Sequence, residues 1–389
     1  MRSLSAAMLA VQASGYPTGV IKPAIQSVFT HGATTYDYSF DPTVTTNRLL
    51  SIERWEEPFG RIEKQSASIL LRDNDRAVPD LTGYHVDLKY GMNTSTGLSY
   101  ASLPVPRLWV YSQDSVSSPR QHYKLLEMWD VWQIMRYFPI ALGTSPHFQA
   151  DDGDLVGGSL FSLMTIYEIL DWVIDSFSTT AACGTTFVLD ALGDQDDGII
   201  SVAVPLAADT GESIIFPNRQ TSGYQSFASF ISDIMQFTHS RLRALGNTGD
   251  GSFHFKVIYP QNTDLVNEQY YSDPASGHVF YENHDKNTVT VPNYTVVYGS
   301  EQQDLTFAYS GDAYDATEFP SPPAYNGNFM AIPAYFKDER LGSNGDCENR
   351  AAAILNNVLS QTRSGRVTVP HEARVELFDK VAIFDTRGT

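Results

Sequence analysis

Short segments in which apolar and polar residues alternate dominate the chain, and they predict a protein built mainly of β-strands. The segment at residues 62–71 leads into the turn Asp73-Asn74-Asp75, and residues 84–90 alternate with a period of two. Further strands are predicted at residues 366–370, 375–379 and 381–385. The 27 glycines and 20 prolines place turn signals between such segments, so we expect the strands to be short.

Three stretches show helical spacing instead. Residues 159–177 begin with a serine cap and are apolar on nearly every side, which is typical of a buried helix. Residues 223–238 predict an amphipathic helix, because apolar side chains recur at helical intervals at Phe227, Phe230, Ile231, Ile234 and Met235. A third helix is predicted at residues 346–361, capped by Asp346, with an apolar face made of Cys347, Ala351, Ile354, Leu355, Val358 and Leu359.

Length and composition along the chain predict several domains. At 389 residues the chain is longer than a typical single domain. We expect a β-rich, multidomain α+β fold, with a β region at residues 1–145, a mixed α/β region at 150–300, and strands with one helix at 301–389. The segment at residues 309–328 is rich in Ser, Pro and Tyr and predicts a linker or an exposed excursion.

Charge narrows the possible functions. The chain has 26 basic and 45 acidic residues, a formal net charge of −19, and a surface of that sign argues against tight binding of nucleic acid.

The sequence contains no run of about 18 apolar residues, so we expect no membrane-spanning helix. The apolar part of residues 6–11 is too short for a secretion signal. Cys183 and Cys347 are predicted to be reduced structural thiols.

Known catalytic and cofactor motifs do not fit the sequence. The glycines at residues 246–251 have the wrong spacing for a dinucleotide loop and precede a segment typical of a strand. The His371-Glu372 pair lacks the second histidine of a zinc protease, because position 375 is Val375. Neither a phosphate-binding P-loop nor a G-x-S-x-G nucleophile elbow is present. We therefore predict no catalytic residue, no cofactor and no metal site.

Clusters of acidic residues could serve as acid–base pairs or as cation sites. Three carboxylates recur on one face of the predicted helix at residues 159–177, where a solvated stripe is the favoured interpretation: Glu168, Asp171 and Asp175. A second group resembles a calcium loop in composition: Asp190, Asp194, Asp196 and Asp197. Its spacing fails, because Ile199 and Pro205 stand where such a loop needs glycine and glutamate. Acidic turns are favoured there and at Asp151, Asp152 and Asp154.

Two aromatic clusters could stack on sugars or bases. One comprises Trp129, Trp132, Tyr137 and Phe138, and the other Tyr270, Tyr271, Phe280 and Tyr281. Base stacking would need basic residues nearby, and these are missing. Sugar binding would need exposed rings. Packing in a core or in an interface is the favoured interpretation of both clusters.

Several segments share their pattern with one known family. A short helix at residues 4–12 leads through Pro17 to a first strand. Residues 70–76 and 81–91 look like a hairpin in which one strand ends in an Asp/Asn turn and the return strand ends in Tyr-Gly. The strand at residues 293–299 and the terminal helix and strands at residues 348–355, 364–370 and 375–385 continue the pattern. Together these segments resemble the tail hub, or baseplate hub, proteins of bacteriophages and phage-like particles.

The resemblance implies a homotrimeric ring at the phage tail tip. Such a ring caps the tail tube, adapts six-fold to three-fold symmetry and carries a central spike or fibre. Two β-barrel-like domains per subunit imitate the six-fold ring of the tube in that family, and residues 1–145 and 301–389 would supply them here. The implied partners are a tail tube or distal tail protein above, a spike or fibre protein below, and a tape measure protein. DNA would pass through the bore without specific binding, and the virion would be assembled in the host cytoplasm.

Three other interpretations stay open. A distal-tail ring protein shares the same signals. A receptor-binding or carbohydrate-binding tail-tip protein would need exposed coplanar aromatic rings beside acidic loops. A carboxylate-dependent cell-wall hydrolase would work through Glu168 and Asp171. The missing catalytic motif favours the non-enzymatic hub.

Overall fold

A computed structural model describes most of the chain. The described residues are 4–13, 23–59, 62–94, 96–102, 104–140, 166–180, 185–193, 226–236, 238, 240–245, 250–260, 264–272, 285–288, 292–299, 309–315, 331–338, 341, 343–361, 363–369 and 373–385. Their helices are α1 (Ala6–Ala13), α2 (Val131–Tyr137), α3 (Ile166–Thr180), α4 (Phe227–Met235) and α5 (Asn344–Gln361).

Strands account for a larger share of these residues than helices. In the first region they are β1 (Pro23–His31), β2 (Thr34–Asp37), β3 (Leu49–Phe59), β4 (Ile62–Arg72), β5 (His85–Thr94), β6 (Gly97–Tyr100), β7 (Leu108–Ser118) and β8 (Gln121–Trp129). Further along they are β9 (Phe187–Leu189), β10 (Arg241–Leu245), β11 (Phe253–Ile258), β12 (Glu268–Tyr271), β13 (Asp285–Thr288) and β14 (Tyr294–Tyr298). The last are β15 (Ser310–Tyr314), β16 (Pro333–Lys337), β17 (Arg363–Arg366) and β18 (Val381–Phe384).

One large sheet spans the first region and continues into the second. Its strand order is β2-β1-β5-β7-β8-β4-β10-β11-β9, with β3 paired to β4 and β6 paired to β5. Strand β4 is the junction, because β8 covers one of its edges from Ser66 onward and β10 joins that edge at Ile62. Strands β2 and β9, at the two ends of this order, are not paired with each other within the described part, so the sheet is open.

The first hydrophobic core lies on one side of this sheet. Strand β4 alternates as the sequence predicts, with Ala67, Ile69 and Leu71 buried. These residues pack with apolar residues of β1, β5, β7 and β8, including Phe29, Val86, Leu108 and Leu126. Burial of one face of each strand drives this packing, at about 25 cal/mol per Å² of apolar surface.

The second core packs three helices onto the far end of the sheet. Helix α3 buries Ile169, Leu170, Val173 and Phe177, and helix α4 buries Phe227, Phe230, Ile231 and Ile234. Both helices share this core with Phe253 and Phe255 of β11. Helix α2 adds Trp132 to the same core, and the face of α4 predicted from periodicity is the buried one.

The third core joins helix α5 to a three-stranded sheet with the order β15-β14-β16. Val297 of β14 packs with Leu341 and with Cys347 and Ala351 of the helix. Gly311 of β15 allows this close approach, because a Cβ atom there would lie 2.1 Å from the backbone nitrogen of Glu348. Two small sheets, β12-β18 and β13-β17, complete the described part.

Several element predictions need correction. Residues 375–379 form a turn instead of a strand, because the Asp379 backbone N–H donates to the Glu376 carbonyl and Phe378 has a φ of 72°. The strand expected at residues 366–370 lies earlier, at β17. Strands β4 and β5 are not a hairpin, since β7 and β8 lie between them. The segment expected to be a linker begins with β15.

The cap prediction for α5 is also wrong. Ser343 caps the helix, since its Oγ accepts a hydrogen bond from the Asp346 backbone N–H at 3.1 Å. Asp346 lies one turn further on and accepts the Ser343 hydroxyl at 2.7 Å. The predicted class, a sheet-rich α+β fold with a mixed middle region, is confirmed. The division at residues 145, 150, 300 and 301 stays a prediction.

Candidate interaction surface

The candidate site is the side of the large sheet that faces away from the first core. On β4 the odd-numbered residues from Gln65 to Leu71 are buried, so Ser66, Ser68 and Leu70 point to the other side. We call this side of β3, β4, β8 and β7 the outer face. The residues paired with Ser66 and Ser68 on β3 and β8 project from it as well.

Aromatic side chains cross the outer face in one row. Trp55 of β3 and Trp129 of β8 are both paired with Ser66, so their indoles flank it. Tyr111 stacks on Trp129 with ring centroids 4.0 Å apart, and Tyr137 of α2 stacks on Trp129 with centroids 5.6 Å apart. These four residues are the aromatic row.

Three of the four rings are open to solvent. Trp55 is 52% exposed, Tyr111 39% and Tyr137 65%, while Trp129 is half-buried between the two tyrosines. Scattered exposed apolar residues are ordinary on a protein surface, but contiguous large aromatic groups mark contact surfaces. The row can therefore bury a large apolar area against another surface without any change of the sheet.

A β-bulge turns Tyr111 onto this face. The register of β7 against β8 shifts between Val110 and Ser112, which leaves Tyr111 as the extra residue. Its hydroxyl then donates a hydrogen bond to Glu127 Oε2 at 2.6 Å. This bond, with burial and the charge of Glu127, raises the pKa of Tyr111.

The second core covers the outer face only in part. Trp109, paired with Trp129, packs against Phe187 and Phe253 at centroid distances of 6.4 and 6.0 Å. Trp109 is buried, whereas its neighbours in the aromatic row are not. The second core therefore covers the outer face as far as Trp109 and leaves Trp129 half-buried.

Asp130 positions the helix that carries Tyr137. Its Oδ1 accepts a hydrogen bond from the Gln133 backbone N–H at 2.9 Å and so caps α2, while Oδ2 accepts from the Gln65 backbone N–H of β4 at 2.5 Å. Burial raises the pKa of Asp130 to about 6. The Asp130 side chain therefore connects the start of α2 to β4.

A chain of buried polar groups runs along β4 beside this cap. The Gln65 side chain accepts from Arg54 at 2.6 Å and donates to Glu63. Burial, and then the charge of Glu56, raise the pKa of Glu63 to about 8 despite the nearby guanidinium groups of Arg54 and Arg243. A buried carboxyl group such as that of Glu63 depends on the surrounding fold for its hydrogen-bond partners.

Arg243 of β10 joins this chain to the C-terminal segment. Its guanidinium lies 3.8 Å from Glu63, 3.6 Å from Glu376 and 3.5 Å from Asp379, and it donates to the Leu377 carbonyl. Arg241, two residues earlier, lies over the Phe378 ring at 4.6 Å. These contacts hold residues 376–379 in a turn, which local alternation alone does not predict.

The aromatic cluster predicted near residue 130 is divided by the structure. Trp129 and Tyr137 lie on the outer face, whereas Trp132 is buried against Phe255 at a centroid distance of 5.1 Å. Phe138 is half-buried and meets Phe177 edge to face. Helix α2 was not predicted; its signal is Asp130 as a cap before the segment VWQIMRY.

Two members of the row were also missed. Trp55 belongs to the alternating segment at residues 49–59, and Tyr111 belongs to a strand that alternates until its bulge. Alternation could have placed Trp55 on a strand face, but not beside Trp129. In the other predicted cluster, Tyr270 is buried and Tyr271 stacks on Phe384 at 5.1 Å, while Phe280 and Tyr281 lie outside the described residues.

The acidic candidates do not converge. Glu168, Asp171 and Asp175 occupy exposed positions of α3, as expected for a solvated stripe, and burial and then the charge of Asp175 raise the pKa of Asp171. Asp190 Oδ1 lies 2.6 Å from His254 Nδ1, and Asp250 lies 3.0 Å from Nε2. Burial lowers the pKa of His254, but these two carboxylates outweigh it, so the pKa is raised.

The remaining candidates fall in two groups. Cys347 is a buried free thiol, and burial raises its pKa to about 11. Gly251 lies in a turn with a φ of 87°. Outside the described residues lie Asp151, Asp152, Asp154, Asp194, Asp196, Asp197, Cys183, His371 and Glu372. Within the described part, no group of three or more His, Cys, Asp or Glu side chains could hold a metal ion.

Comparison with known proteins identifies the fold. The sequence matches no protein-family model and no curated protein. The structure is similar to the tail protein of Neisseria meningitidis MC58, with a TM-score of 0.54 and 11% identity over 93% of this chain and 86% of that one. It is also similar to the 43 kDa tail protein of prophage MuSo2 from Shewanella oneidensis, with a TM-score of 0.51 and 9% identity over 93% and 89% of the two chains.

The chain therefore has the fold of phage tail proteins, and the predicted resemblance to that class is confirmed at this level. Both similarities extend over 93% of this chain. None of the helices in the described ranges combines the length and apolar character needed to span a bilayer.

Proposed function

We propose that this protein is a structural component of a phage tail tip, a ring-forming hub that caps the tail tube and carries a central spike or fibre. The observation that carries the proposal is the tail-protein fold over 93% of the chain. The aromatic row supports it, because rings assemble through large, partly apolar faces on each subunit.

In the proposed assembly three copies form a closed ring. Two β-rich parts of each copy would meet the six-fold tube, a tail tube or distal tail protein would lie above, and a spike or fibre below. A tape measure protein would contact the ring during assembly in the host cytoplasm. Three copies carry a formal charge of −57, three times −19, and acidic groups in the bore would keep outgoing DNA from adhering.

The proposed role is structural, without catalytic residue, cofactor or metal. The exposure of the three carboxylates of α3 supports this part of the proposal, because catalytic acids and bases usually lie in a desolvated cleft. Hydrolysis of peptidoglycan or polysaccharide that is lost on Glu168→Ala would contradict it.

The experiment is a measurement of mass and shape. Native mass spectrometry and negative-stain imaging of the full chain, over a range of concentrations, should show a three-fold ring with a central opening. Six copies would identify a distal-tail ring instead. A protein that stays monomeric at every concentration would contradict the ring-forming role.

Variants of the aromatic row connect the ring to this surface. Trp55→Ala with Tyr137→Ala should weaken ring formation while circular dichroism shows an unchanged fold. Tyr335→Ala is the matched control, since Tyr335 is 63% exposed but lies on β16, and it should leave the ring intact. Equal assembly of both variants would contradict a role for the row. Loss of glycan binding with intact rings would identify the row as a sugar-binding surface.

A further inference from the structure

Three arginines lie together at one end of the large sheet. Arg72 ends β4, Arg76 lies in the turn that follows, and Arg120 lies in the turn between β7 and β8. The two turns are neighbours, because the Asp73 backbone N–H donates to the His122 carbonyl at 2.8 Å. We call Arg72, Arg76 and Arg120 the arginine end.

The arginine end is exposed and unneutralised. All three residues are exposed, and none of their guanidinium groups forms an ion pair with another described residue. The nearby carboxylates are engaged elsewhere. Asp75 accepts from Arg48 at 2.8 Å, and Asp73 is buried 3.9 Å from the same guanidinium. The arginines therefore keep their full charge toward solvent.

This end is basic in an otherwise acidic protein. Arg48 and the segments at residues 72–80 and 115–124 contain five basic residues, Lys124 included, and three acidic ones, a net charge of +2 in a chain of −19. Two of the arginines also occupy backbone conformations that favour glycine, with a φ of 57° at Arg76 and 70° at Arg120.

The outer face carries the opposite charge. Glu53 of β3 and Glu127 of β8 are both paired with Ser68, so they lie one row beyond Trp55 and Trp129. Asp114 of β7 and Glu57 of β3 are exposed on the same strands. Lys64 is the one cation on this part of β4, and it is bound to Glu57 at 2.6 Å. These four acids and one base leave a net charge of −3.

Most of the acidic outer face lies beyond the reach of the arginine end within one copy. Glu53 and Glu127 are paired with Ser68, four residues of β4 or about 13 Å from Arg72, and at that separation exposed charges are largely screened at physiological ionic strength. Asp114 lies in the row of Leu70, about 7 Å along the strand from Arg72, so it borders the arginine end. Glu53 and Glu127 therefore stay available for a basic partner.

We propose that the arginine end of one copy docks on the acidic outer face of the next copy. Arg72, Arg76 and Arg120 would meet Glu53, Glu127 and Asp114, and a guanidinium would also lie over Trp55. Such a contact uses two different surfaces of each subunit, and it closes into a ring when the rotation between copies is right. The inference rests on the proposed ring function and names the surfaces that build it. Nucleic acid is the less favoured partner, because the chain as a whole repels phosphate.

The experiment reverses the charge of the arginine end and of the outer face, first separately and then together. Arg76→Glu with Arg120→Glu should weaken self-association at least about tenfold, and Glu53→Arg with Asp114→Arg should do the same. A chain with all four substitutions keeps the net charge of −19 and presents inverted but complementary surfaces, so its association should return to within about threefold of the wild type. Asp171→Arg with Asp175→Arg on α3 is the control and should associate like the wild type.

Sedimentation velocity would measure association, with circular dichroism to confirm the fold of each variant. Wild-type association should also weaken as KCl rises from about 0.05 to about 0.5 M. A fourfold variant that fails to recover while it remains folded would overturn the proposed docking, although a ring of the wild type would still support the hub. A monomeric wild type would overturn the hub itself. Binding of duplex DNA that is lost on reversal of the arginines would identify nucleic acid as the partner and overturn the docking between copies.

Discussion

Glu63 of β4 and Arg243 of β10 meet where the first and second cores join, with Oε2 of the carboxylate 3.8 Å from Nε of the guanidinium. Their side chains are 3% and 8% exposed. Since Arg243 also contacts Glu376 and Asp379, the pair connects three distant parts of the chain. Because burial keeps Glu63 protonated below about pH 8, this contact joins a neutral carboxyl group to a guanidinium at neutral pH, and such a buried polar contact does more to favour one arrangement of its surroundings than to add net stability.

Glu63 should make stability depend on pH. Burial raises its pKa from 4.5 to about 8, so between these values the folded state keeps a proton that the unfolded chain has released. The stability that Glu63 contributes is therefore full below the unfolded pKa and is lost as the pH rises through the folded pKa. Relative to Glu63→Gln, the wild type should lose about 1–3 kcal/mol of unfolding free energy between about pH 5 and about pH 8. Urea unfolding at several pH values measures this difference.

The control for Glu63 is Glu57→Gln. Glu57 is exposed and bound only to Lys64 in the described structure, so its difference from the wild type should change little over the same range. Identical pH profiles for Glu63→Gln and the wild type would show that the Glu63 carboxyl titrates normally.

Asp130 should stabilise the fold through two separate hydrogen bonds. Asp130→Ala removes the acceptors for Gln133 and Gln65, and should cost about 2–4 kcal/mol of unfolding free energy. Asp130→Asn keeps one acceptor but turns its NH₂ group toward one of these N–H groups, so it should cost about 1–2 kcal/mol. Chemical unfolding would measure both values. Equal stability of Asp130→Asn and the wild type would contradict the dual contact.

Gly311 and Gly345 make a matched pair around helix α5. A Cβ atom at residue 311 would meet the backbone of Glu348 and Cys347 at 2.1 and 2.5 Å, so Gly311→Ala should cost several kcal/mol, about 3 or more. At residue 345 the nearest atom is Ser343 Oγ at 3.8 Å, and Gly345→Ala should stabilise the helix by about 0.5–1 kcal/mol. Thermal unfolding of the two variants should move in opposite directions. A similar shift for both would refute the close contact of α5 and β15.

Trp132 and Tyr137, one turn and a half apart on α2, should differ in their effect on stability. Trp132 is buried against Phe255, and Trp132→Ala should cost about 3–5 kcal/mol. Tyr137 is exposed and stacks only on Trp129 in the described structure, so Tyr137→Ala should cost less than about 1 kcal/mol. Urea unfolding followed by circular dichroism compares them. A large cost at Tyr137 would show that the outer face is part of the core.

Local periodicity accounts for much of what the sequence predicted correctly. The alternation of β4 and the buried faces of α4 and α5 depend on neighbours within a few residues, so they can be recognised in a single segment. The helix at Ala6–Ala13 and the strand at Tyr294–Tyr298, which belong to the segments that carry the resemblance to tail proteins, are present as well. Net charge is likewise a property of composition alone.

Long-range contacts explain the failures. Residues 375–379 alternate like a strand, but Arg243, more than a hundred residues away, stabilises them as a turn. Residues 70–76 and 81–91 resemble a hairpin, but β7 and β8 insert between the two strands. Ser343 replaces Asp346 as the cap because its hydroxyl reaches the free N–H of the first turn.

Composition and short-range periodicity are sufficient to predict the β-rich class, helices α3 to α5 and the strongly acidic charge, and the patterns of several segments carry the resemblance to tail proteins. The tertiary structure brings the aromatic residues of the outer face together and sets Arg72 six residues along β4 from Ser66, the position paired with Trp55. Strand pairing brings together residues that are far apart in sequence, and the register of those pairs depends on the free energy of the whole core.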